Sequence, residues 1–469
     1  MILIIYVQDA LRADHMSCYG YFRKTTPHIE KFCEESVVFT RAYAQSTWTR
    51  TSATTLLTSL YPSVLGIEGI DSVFPSVCPT LPAILRRAGF YTIGLSANPN
   101  ISSYYGYARG FNKFIDLFLS KNLKKISYSS TPRREKVERI KSRRIVFPRG
   151  EEINNYLKSN LKELIKYKKN LFIFIWALDT HEPFNPPYRK FSIHNKRKEI
   201  SVRDFRKLKT KEDRKELINL YDDEILYVDY CFNEFIEILK EHSIYDDSLI
   251  IFTSDHGQLL LEHGMIGHGH IPYEPTLRIP LIIKFPYQKF KAKVNEPVGL
   301  IDILPTIIDV LKLKYSFPVK IEGISLISLI RKEIKIYRDL FSETKSWNVQ
   351  AKFYSLLSDD WKYILVLPPN RNIKYYKEIL KHFIAIENII DFIDNPTYYI
   401  KRVVNKKKEM LFNIKIDPFE SKDLSIEKLN ILKIMRKKML KWLLIQQKKK
   451  KKLQNISQKI HKIKAKLNK

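Results

Sequence analysis

Short runs of β-branched and aromatic residues alternate along this chain with longer segments whose apolar residues recur every three or four positions. Such runs are typical of strands buried on both faces of a parallel sheet, and the longer segments are typical of amphipathic helices. The predicted strands are Ile2–Val7, Tyr91–Leu95, Leu171–Leu178, Ser248–Thr253 and Pro280–Phe285. The predicted helices include Thr26–Glu35, Thr80–Ala88 and Arg214–Glu241. This alternation predicts an α/β fold with a mostly parallel central sheet and helices on both faces.

The pattern changes beyond about residue 340. Antiparallel strands are predicted at Phe353–Leu357, Lys362–Leu367 and Glu409–Ile414, and an amphipathic helix is predicted at Ile426–Leu444. Residues 370–405 are too irregular to assign. We therefore expect a main domain at 1–340, a smaller C-terminal α+β subdomain at 341–447 and a lysine-rich tail at 448–469.

Polar side chains follow four of the predicted strands directly or within a few residues. They are Asp9, Asn98, the pair Asp179 and His181, and the pair Asp255 and His256. A single Asp after a strand is commonly a helix N-cap. The carboxyl ends of parallel strands meet at one edge of a sheet, where ligands bind in open α/β folds. The coincidence of carboxylates, an amide and imidazoles there predicts a metal site.

The chain is strongly basic, and the charge is unevenly spread. Its 469 residues include 81 Lys and Arg against 50 Asp and Glu, a formal net charge of +31. The segment Lys448–Lys469 holds ten lysines and no acid, and Lys121–Arg149 is a second basic stretch. An anionic partner, either nucleic acid or a membrane surface, is one interpretation, and a solvated surface is the other. We favour the solvated surface, with weak membrane contact of the tail and no specific nucleic acid, since no nucleic-acid-binding motif occurs.

The cysteine and hydropathy patterns argue against a disulfide-rich, zinc-finger or membrane-spanning protein. The four cysteines form no C-x-x-C pair, so neither a disulfide framework nor a zinc finger is indicated. The longest apolar runs, such as Leu171–Leu178, fall far short of the roughly 20 residues that cross a bilayer. The segment Met1–Val7 lacks the features of a signal peptide and is interpreted as a strand. We expect a cytoplasmic protein with at most peripheral membrane contact.

Several motifs occur in the order that one enzyme family shows. They are D-A-L-R-A-D at 9–14, T-x-x-S-x-x-x-L-L-T-x-L-Y-P at 49–62, H-x-P at 181–183, S-D-H-G at 254–257 and G-H-G at 267–269. Together they resemble the sulfatase family of the alkaline-phosphatase-like superfamily, over roughly residues 1–445. The resemblance implies an alkaline-phosphatase-like fold and a metal-assisted attack on a sulfate or phosphate ester.

The resemblance also assigns roles to individual residues. It places Thr49 at the position of the nucleophile and makes Asp9, Thr49, Asp255 and His256 the metal ligands. It makes His181 the acid that protonates the leaving oxygen. Donors to the non-reacting oxygens of the substrate would be Arg50, Asn98 and His268.

Two departures from the family pattern change the expected chemistry. Sulfatases carry Cys or Ser at the nucleophile position and convert it to formylglycine, which Thr49 cannot form, and Thr51 and Ala53 replace the usual Pro and Arg. No formylglycine is expected, so phosphoester hydrolysis or transfer is favoured over sulfate hydrolysis. Ala10 stands where the family usually has an Asp, and His256 stands where it usually has an Asn. The site thus loses a carboxylate and gains an imidazole, which favours Mn²⁺ or Zn²⁺ over Ca²⁺. One metal ion is expected, because Asp179 and His181 are too close for the D-x-x-x-H pattern of two-metal phosphodiesterases.

The sequence thus predicts a hydrolase of sulfuric or phosphoric esters, or a related phospho-group transferase. Its substrate would be a small anionic ester or a glycan or lipid head group. The alternative is a catalytically silent relative that binds anionic glycan, lipid or nucleic acid. Retention of Asp9, Thr49, Asp255 and His256 together argues against that alternative.

Overall fold

The computed structural model describes residues 1–69, 72–120, 147–166, 170–201, 204, 207–208, 210–334, 337–346, 350–368 and 408–467. The unassigned segment 370–405 and most of the basic stretch Lys121–Arg149 lie outside the described residues.

A mixed, mostly parallel sheet of nine strands forms the centre of the protein. Its strands are β1 (Ile2–Gln8), β2 (Val37–Tyr43), β3 (Tyr91–Ser96), β4 (Lys113–Asp116), β5 (Leu171–Ala177), β6 (Ser248–Thr253), β9 (Arg278–Lys284), β10 (Ala292–Val294) and β11 (Val298–Gly299). A separate short hairpin consists of β7 (Leu259–Leu260) and β8 (Ile266–Gly267). The order is β10-β2-β9-β6-β1-β5-β3-β4, with β11 also paired to β2. Strand β1 lies between β5 and β6 and is parallel to both, which brings their carboxyl ends together.

The prediction that Pro280–Phe285 is a parallel strand is wrong. Strand β9 covers this region and runs antiparallel to both β6 and β2. The chain from Ser254 to Leu277 forms the β7–β8 hairpin and short helical turns, and no long helix returns it to the opposite edge of the sheet. A parallel neighbour requires such a crossover, so β9 starts from the edge at which β6 ends.

Eleven helices complete the described part of the chain. They are α1 (Pro27–Glu34), α2 (Thr49–Thr58), α3 (Pro62–Leu65), α4 (Leu81–Arg87), α5 (Leu117–Ser120), α6 (Gly150–Lys166), α7 (Lys211–Glu241), α8 (Glu274–Leu277), α9 (Ile303–Val310), α10 (Ile327–Ile330) and α11 (Leu429–Leu467). Alternate residues of β1 face opposite layers: Leu3 and Ile5 pack in the core with α2, α4 and α9, whereas Ile4 and Tyr6 pack with α1, α6 and α7. The predicted arrangement, with helices on both faces of the sheet, is confirmed.

The C-terminal region adds a second, antiparallel sheet. Its strands pair in chain order: β12 (Leu340–Lys345), β13 (Lys352–Ser358), β14 (Trp361–Leu367) and β15 (Glu409–Asn413). One face packs against Met439 and Trp442 of α11, and the other contributes Ile364 to a core shared with Tyr273 of the central domain. Both faces are therefore buried, and the second sheet is fixed against the first domain.

Helix α11 is longer than the predicted helix Ile426–Leu444 and continues to Leu467. The segment from Lys448 onward holds no Gly or Pro, and Leu453 and Ile456 continue the inward-facing apolar positions. Residues 448–467 therefore extend the helix that packs on the second sheet. Among the described helices, none combines the length and apolar character needed to cross a bilayer.

Candidate active site

The carboxyl ends of β1, β3, β5 and β6 bring the predicted polar residues to one edge of the central sheet. Asp9 follows the last residue of β1, Asn98 lies two residues beyond β3, and Asp255 lies two residues beyond β6. The parallel register of β1 with β6 pairs Val7 with Thr253, so both strands end at the same level. Residues 245 positions apart in the chain thus meet, as shown by the hydrogen bond from the Ala10 amide to Asp255 Oδ1 at 3.1 Å.

Three predicted metal ligands, Asp9, Asp255 and His256, form one compact group, which we call the metal group. One ligand atom from each of Asp9, Asp255 and His256 lies within 4.8 Å of the others, and all three side chains are fully buried. Within the described residues this is the single such group of three His, Cys, Asp or Glu side chains.

In each of the two carboxylates of the group, one oxygen accepts hydrogen bonds from the protein and the other accepts none from the described residues. Asp9 Oδ2 accepts hydrogen bonds from Asn98 Nδ2 at 2.6 Å and Trp176 Nε1 at 2.9 Å. Asp255 Oδ1 accepts from the backbone amides of Ala10 and His256. Asp9 Oδ1 and Asp255 Oδ2 are buried and accept no hydrogen bond from any described residue. Buried carboxylate oxygens without donors are costly unless a cation pairs with them.

The His256 ring faces these two free oxygens. Its Nδ1 lies 2.9 Å from the Gly257 carbonyl, which assigns the ring hydrogen to Nδ1 and leaves a lone pair on Nε2. Nε2 lies 3.2 Å from Asp255 Oδ2 and 4.0 Å from Asp9 Oδ1. Three electron-rich atoms therefore point at one another, and a divalent cation is the partner that fits them.

Burial governs the titration of this group in the absence of a cation. Desolvation raises the pKa of Asp255 well above its ordinary value, and the neighbouring charge of Asp9 raises it further. Desolvation lowers the pKa of His256 to about 4, so its ring is neutral near neutral pH. A neutral imidazole is the form that ligates metals.

Thr49 is the first residue of α2 and lies next to the metal group. Its Oγ1 is 3.3 Å from His256 Nε2, and the side chain is fully buried. The free amides of a helix N-terminus carry partial positive charge and favour anions. The hydroxyl therefore lies where an anionic ester would be attracted.

Two predicted histidines lie beside the same group. The ring of His268 stacks on His256 with centroids 4.4 Å apart, and its Nε2 lies 3.0 Å from His181 Nε2. The Nδ1 of His181 lies 2.7 Å from the Glu182 carbonyl, which fixes the orientation of the ring. The amide of Gly269 donates to Thr47 O at 2.7 Å and ties this loop to the turn before α2.

The other two predicted substrate contacts, Asn98 and Arg50, make hydrogen bonds to other residues of the protein. Asn98 Nδ2 donates to Asp9, and Asn98 Oδ1 accepts from the amide of Asn100. The Arg50 guanidinium donates to Asn100 Oδ1 and Ser72 O and stacks on Tyr105. In this arrangement Asn98 orients the carboxylate of Asp9, and Arg50 anchors the loop that holds Asn100.

Asp179 is not part of the metal group, although it follows β5. Its Oδ1 accepts from the amide of Gly150 at 3.1 Å, and Arg149 lies 3.8 Å away. Burial raises its pKa to about 6. The carboxylate thus accepts from the first residue of α6, a helix that precedes β5 in the chain, through a tertiary contact.

The sequence pattern did not predict a role at the site for Trp176 or Tyr221. Trp176 donates to Asp9, and the Tyr221 hydroxyl donates to Ala10 O at 2.8 Å while accepting from the Arg12 amide. Trp176 lies in β5 opposite Val7, near the ends of both strands. Its position next to the end of a strand was the one feature of the sequence that could have indicated a place at the site. Tyr221 lies within the long helix α7, and no local pattern distinguishes it.

Two arylsulfatases are similar in sequence to part of this chain. An arylsulfatase of Clostridium perfringens is 26% identical over 214 residues, which cover 41% of this chain and 44% of that protein. Arylsulfatase K of Gallus gallus is 30% identical over 165 residues, covering 33% of this chain and 30% of that protein. The chain thus matches less than half the length of either relative.

Solved structures of similar fold match nearly the whole chain. A 2-O GAG sulfatase superimposes with a TM-score of 0.66 at 15% identity, covering 95% of this chain and 92% of that one. The phosphonate monoester hydrolase of Agrobacterium radiobacter gives a TM-score of 0.65 at 17% identity, covering 95% of each chain. At these identities the likeness shows a shared fold, which confirms the predicted architecture.

The sulfatase family model matches residues 2–313, a range that contains every residue of the site described above. The chain belongs to the sulfatase family.

Proposed function

We propose that this protein is a metal-dependent hydrolase of anionic esters that uses Thr49 as its nucleophile and prefers phosphoesters to sulfate esters. The observation that carries the proposal is the position of Thr49 Oγ1, 3.3 Å from His256 Nε2 and beside the two carboxylates with free oxygens. A hydroxyl is a weak nucleophile at its ordinary pKa and needs a positively charged neighbour to be activated.

The residues present fit a divalent cation. Asp9 Oδ1, Asp255 Oδ2, His256 Nε2 and the Thr49 hydroxyl would hold it, and the first three lie within 4.8 Å of one another. A bound divalent cation would supply positive charge that lowers the pKa of the Thr49 hydroxyl and offsets the charge of the ester. Two carboxylates and an imidazole favour Mn²⁺ or Zn²⁺ over Ca²⁺, which prefers oxygen ligands alone.

The proposed reaction has two steps. Thr49 Oγ1 forms a bond to phosphorus and loses its proton to solvent, while the bond from phosphorus to the leaving oxygen breaks and His181 donates a proton to that oxygen. Water then cleaves the Thr49 ester, which regenerates the hydroxyl and releases phosphate, and His181 regains a proton from solvent. Transfer to an acceptor alcohol in place of water would give the transferase reaction.

The identity of the nucleophile supports the phosphoester preference. Formylglycine sulfatases convert a Cys or Ser to the catalytic aldehyde, and Thr49 cannot form that aldehyde. Thr49 requires direct attack by water on the covalent ester, which is the ordinary course of phosphoryl chemistry. The same fold occurs in a phosphonate monoester hydrolase as well as in sulfatases, so the fold itself accommodates a reaction at phosphorus.

The experiment compares p-nitrophenyl phosphate, bis(p-nitrophenyl) phosphate, a p-nitrophenyl phosphonate and p-nitrophenyl sulfate, each with Mn²⁺, Zn²⁺ or Ca²⁺. We expect a phosphorus ester to turn over fastest, Thr49→Ala to abolish turnover, and Thr49→Ser to retain part of it. Peptide mass mapping after an acid quench is expected to find the ester on Thr49. Fastest turnover of the sulfate would overturn the phosphoester preference, and full activity of Thr49→Ala would overturn the nucleophile.

No turnover of any ester with any of the three metals would favour the silent binding relative instead. The matched control is Thr55→Ala, which removes a buried hydroxyl of the same helix that makes no hydrogen bond within the described residues.

A further inference from the structure

The outward face of α11 carries a continuous row of positive charge. The 39 residues of this helix include no Asp or Glu. Its exposed lysines include Lys433, Lys437, Lys441, Lys448, Lys452 and Lys459. At about 3.6 residues per turn and 1.5 Å per residue, these six fall within an arc of about 100° and span about 40 Å along the axis. We call this set the lysine face of α11.

The cations on the inner side of α11 are neutralised by the body of the protein. Arg436 pairs with Glu409, Lys438 pairs with Asp339, and Lys449 pairs with Glu322. In the described part of the chain, no carboxylate lies within ion-pair distance of a lysine-face residue. The helix therefore separates charges that the fold uses from charges that face solvent.

Large aliphatic side chains lie among these lysines. Ile434 is 57% exposed, and Leu444 and Ile445 are each 40% exposed. On an ideal helix they fall within or beside the arc of the lysine face. Exposed aliphatic residues beside a row of lysines supply apolar burial and charge attraction, the two contributions by which a helix binds to an anionic membrane surface.

We propose that the lysine face of α11, with Ile434, Leu444 and Ile445, docks on an anionic lipid bilayer. Clustered lysines are attracted to the negative surface of such a membrane, and the aliphatic groups reach the boundary between head groups and acyl chains. A straight row of about 40 Å on a convex helix matches a flat surface. Nucleic acid is the less favoured partner, because the exposed aliphatic groups would have no function in a phosphate contact and arginine, the usual residue for paired phosphate contacts, is absent from the face.

The test measures co-sedimentation of the full chain with vesicles of phosphatidylcholine alone and with vesicles that contain phosphatidylserine. We expect binding to the anionic vesicles, little binding to the neutral ones, and weaker binding as salt rises. The quadruple variant Lys433→Gln, Lys437→Gln, Lys441→Gln and Lys448→Gln should bind roughly several hundredfold more weakly at low salt, since each lysine near an anionic surface contributes roughly a fivefold factor. The double variant Ile434→Ser and Ile445→Ser should also bind more weakly.

The matched control removes four exposed lysines elsewhere, as Lys31→Gln, Lys291→Gln, Lys293→Gln and Lys314→Gln. It has the same net charge as the first quadruple variant and should bind like the unmodified chain. Equal loss in the two quadruple variants, or equal binding to both kinds of vesicle, would overturn the proposal. Tighter binding to a DNA duplex than to anionic vesicles, unchanged by the isoleucine substitutions, would assign the face to nucleic acid. Unfolding midpoints establish that each variant is folded, and no outcome depends on ester hydrolysis.

Discussion

The Nε2 atoms of His181 and His268 lie 3.0 Å apart, although the two residues are 87 positions apart in the chain. One of the two nitrogens must carry a hydrogen for the contact to form. His268 in turn stacks on His256, so the proposed acid is connected to the metal group through one intervening ring.

This geometry predicts that His181 acts on the leaving oxygen. His181→Gln should lower kcat by roughly a hundredfold or more for a phenyl ester, because general acid catalysis contributes most when the leaving group is a poor one. The loss should be much smaller for the p-nitrophenyl ester, whose leaving group needs little protonation. Steady-state kinetics on the two esters measure the difference. Equal losses on both would show that His181 only binds the substrate.

Asp9 Oδ1 and Asp255 Oδ2 accept no hydrogen bond from the described residues. The substitution Asp255→Asn is therefore expected to stabilise the metal-free protein but to remove its stabilisation by a metal ion. Asp255→Asn keeps the acceptor used by the amides of Ala10 and His256 but removes charge from a buried site next to Asp9. The metal-free variant should unfold at a higher temperature than the metal-free unmodified chain, because buried like charges repel. It should lose the stabilisation by Mn²⁺ or Zn²⁺, worth about 2.7 kcal/mol at a hundredfold excess over Kd.

Thermal unfolding with and without each metal, together with metal content by mass spectrometry, tests this prediction. The control is Asp360→Asn, a more exposed carboxylate 3.6 Å from Arg41. A variant that binds metal as tightly as the unmodified chain would exclude Asp255 as a ligand.

Trp176 is predicted to set the metal affinity from outside the ligand group. Trp176→Phe removes the Nε1 donor to Asp9 Oδ2 and leaves Asn98 as the remaining side-chain donor to that oxygen. Loss of such a supporting hydrogen bond typically lowers metal affinity by about 10- to 100-fold. Competitive titration with a chromophoric chelator measures the change.

The matched control for Trp176 is Trp442→Phe. Trp442 is also buried, but its Nε1 donates to no partner among the described residues. This variant should change stability without changing metal affinity. Similar losses of affinity in both variants would show that general loosening of the fold, and not the bond to Asp9, controls the site.

Glu343 in β12 predicts part of the dependence of stability on pH. Burial is the largest cause that raises the pKa of this side chain from 4.5 to about 7, and Glu68 adds to it, whereas Lys352 acts in the opposite direction. The folded state therefore holds this proton more tightly than the unfolded state does. The contribution of Glu343 to stability is greatest below pH 4.5 and is lost as pH rises to about 7.

Glu343→Gln should flatten this part of the profile and make the protein more stable at pH 8, by at most about 3 kcal/mol. Urea unfolding at pH 5, 6, 7 and 8 compares the variant with the unmodified chain. Glu427→Gln, at an exposed position paired with Lys422, is the control and should leave the profile unchanged. Parallel profiles for Glu343→Gln and the unmodified chain would contradict the predicted origin of the pH dependence.

The strand ends were the part of the site that the sequence predicted best. Asp9, Asn98 and Asp255 each follow a short buried strand, and parallel strands deliver the residues after them to one edge. The role of Trp176 was not predictable in this way, because its contact with Asp9 depends on which strand lies beside β1. Asp179 shows the converse: it follows β5, yet its carboxylate turns to the amide of Gly150.

The sequence by itself predicted five of the nine strands of the central sheet, the covering of that sheet on both faces, and the polar residues that follow several strands. These features depend on local periodicity, which the burial of apolar side chains imposes on each segment separately. Only the tertiary structure decided that β9 runs antiparallel, and that Asp9 and Asp255 each keep one oxygen without a donor among the described residues. It also decided that the lysine face of α11 has no carboxylate partner in the described part of the chain. These features depend on contacts between segments far apart in the chain, and no local pattern encodes them.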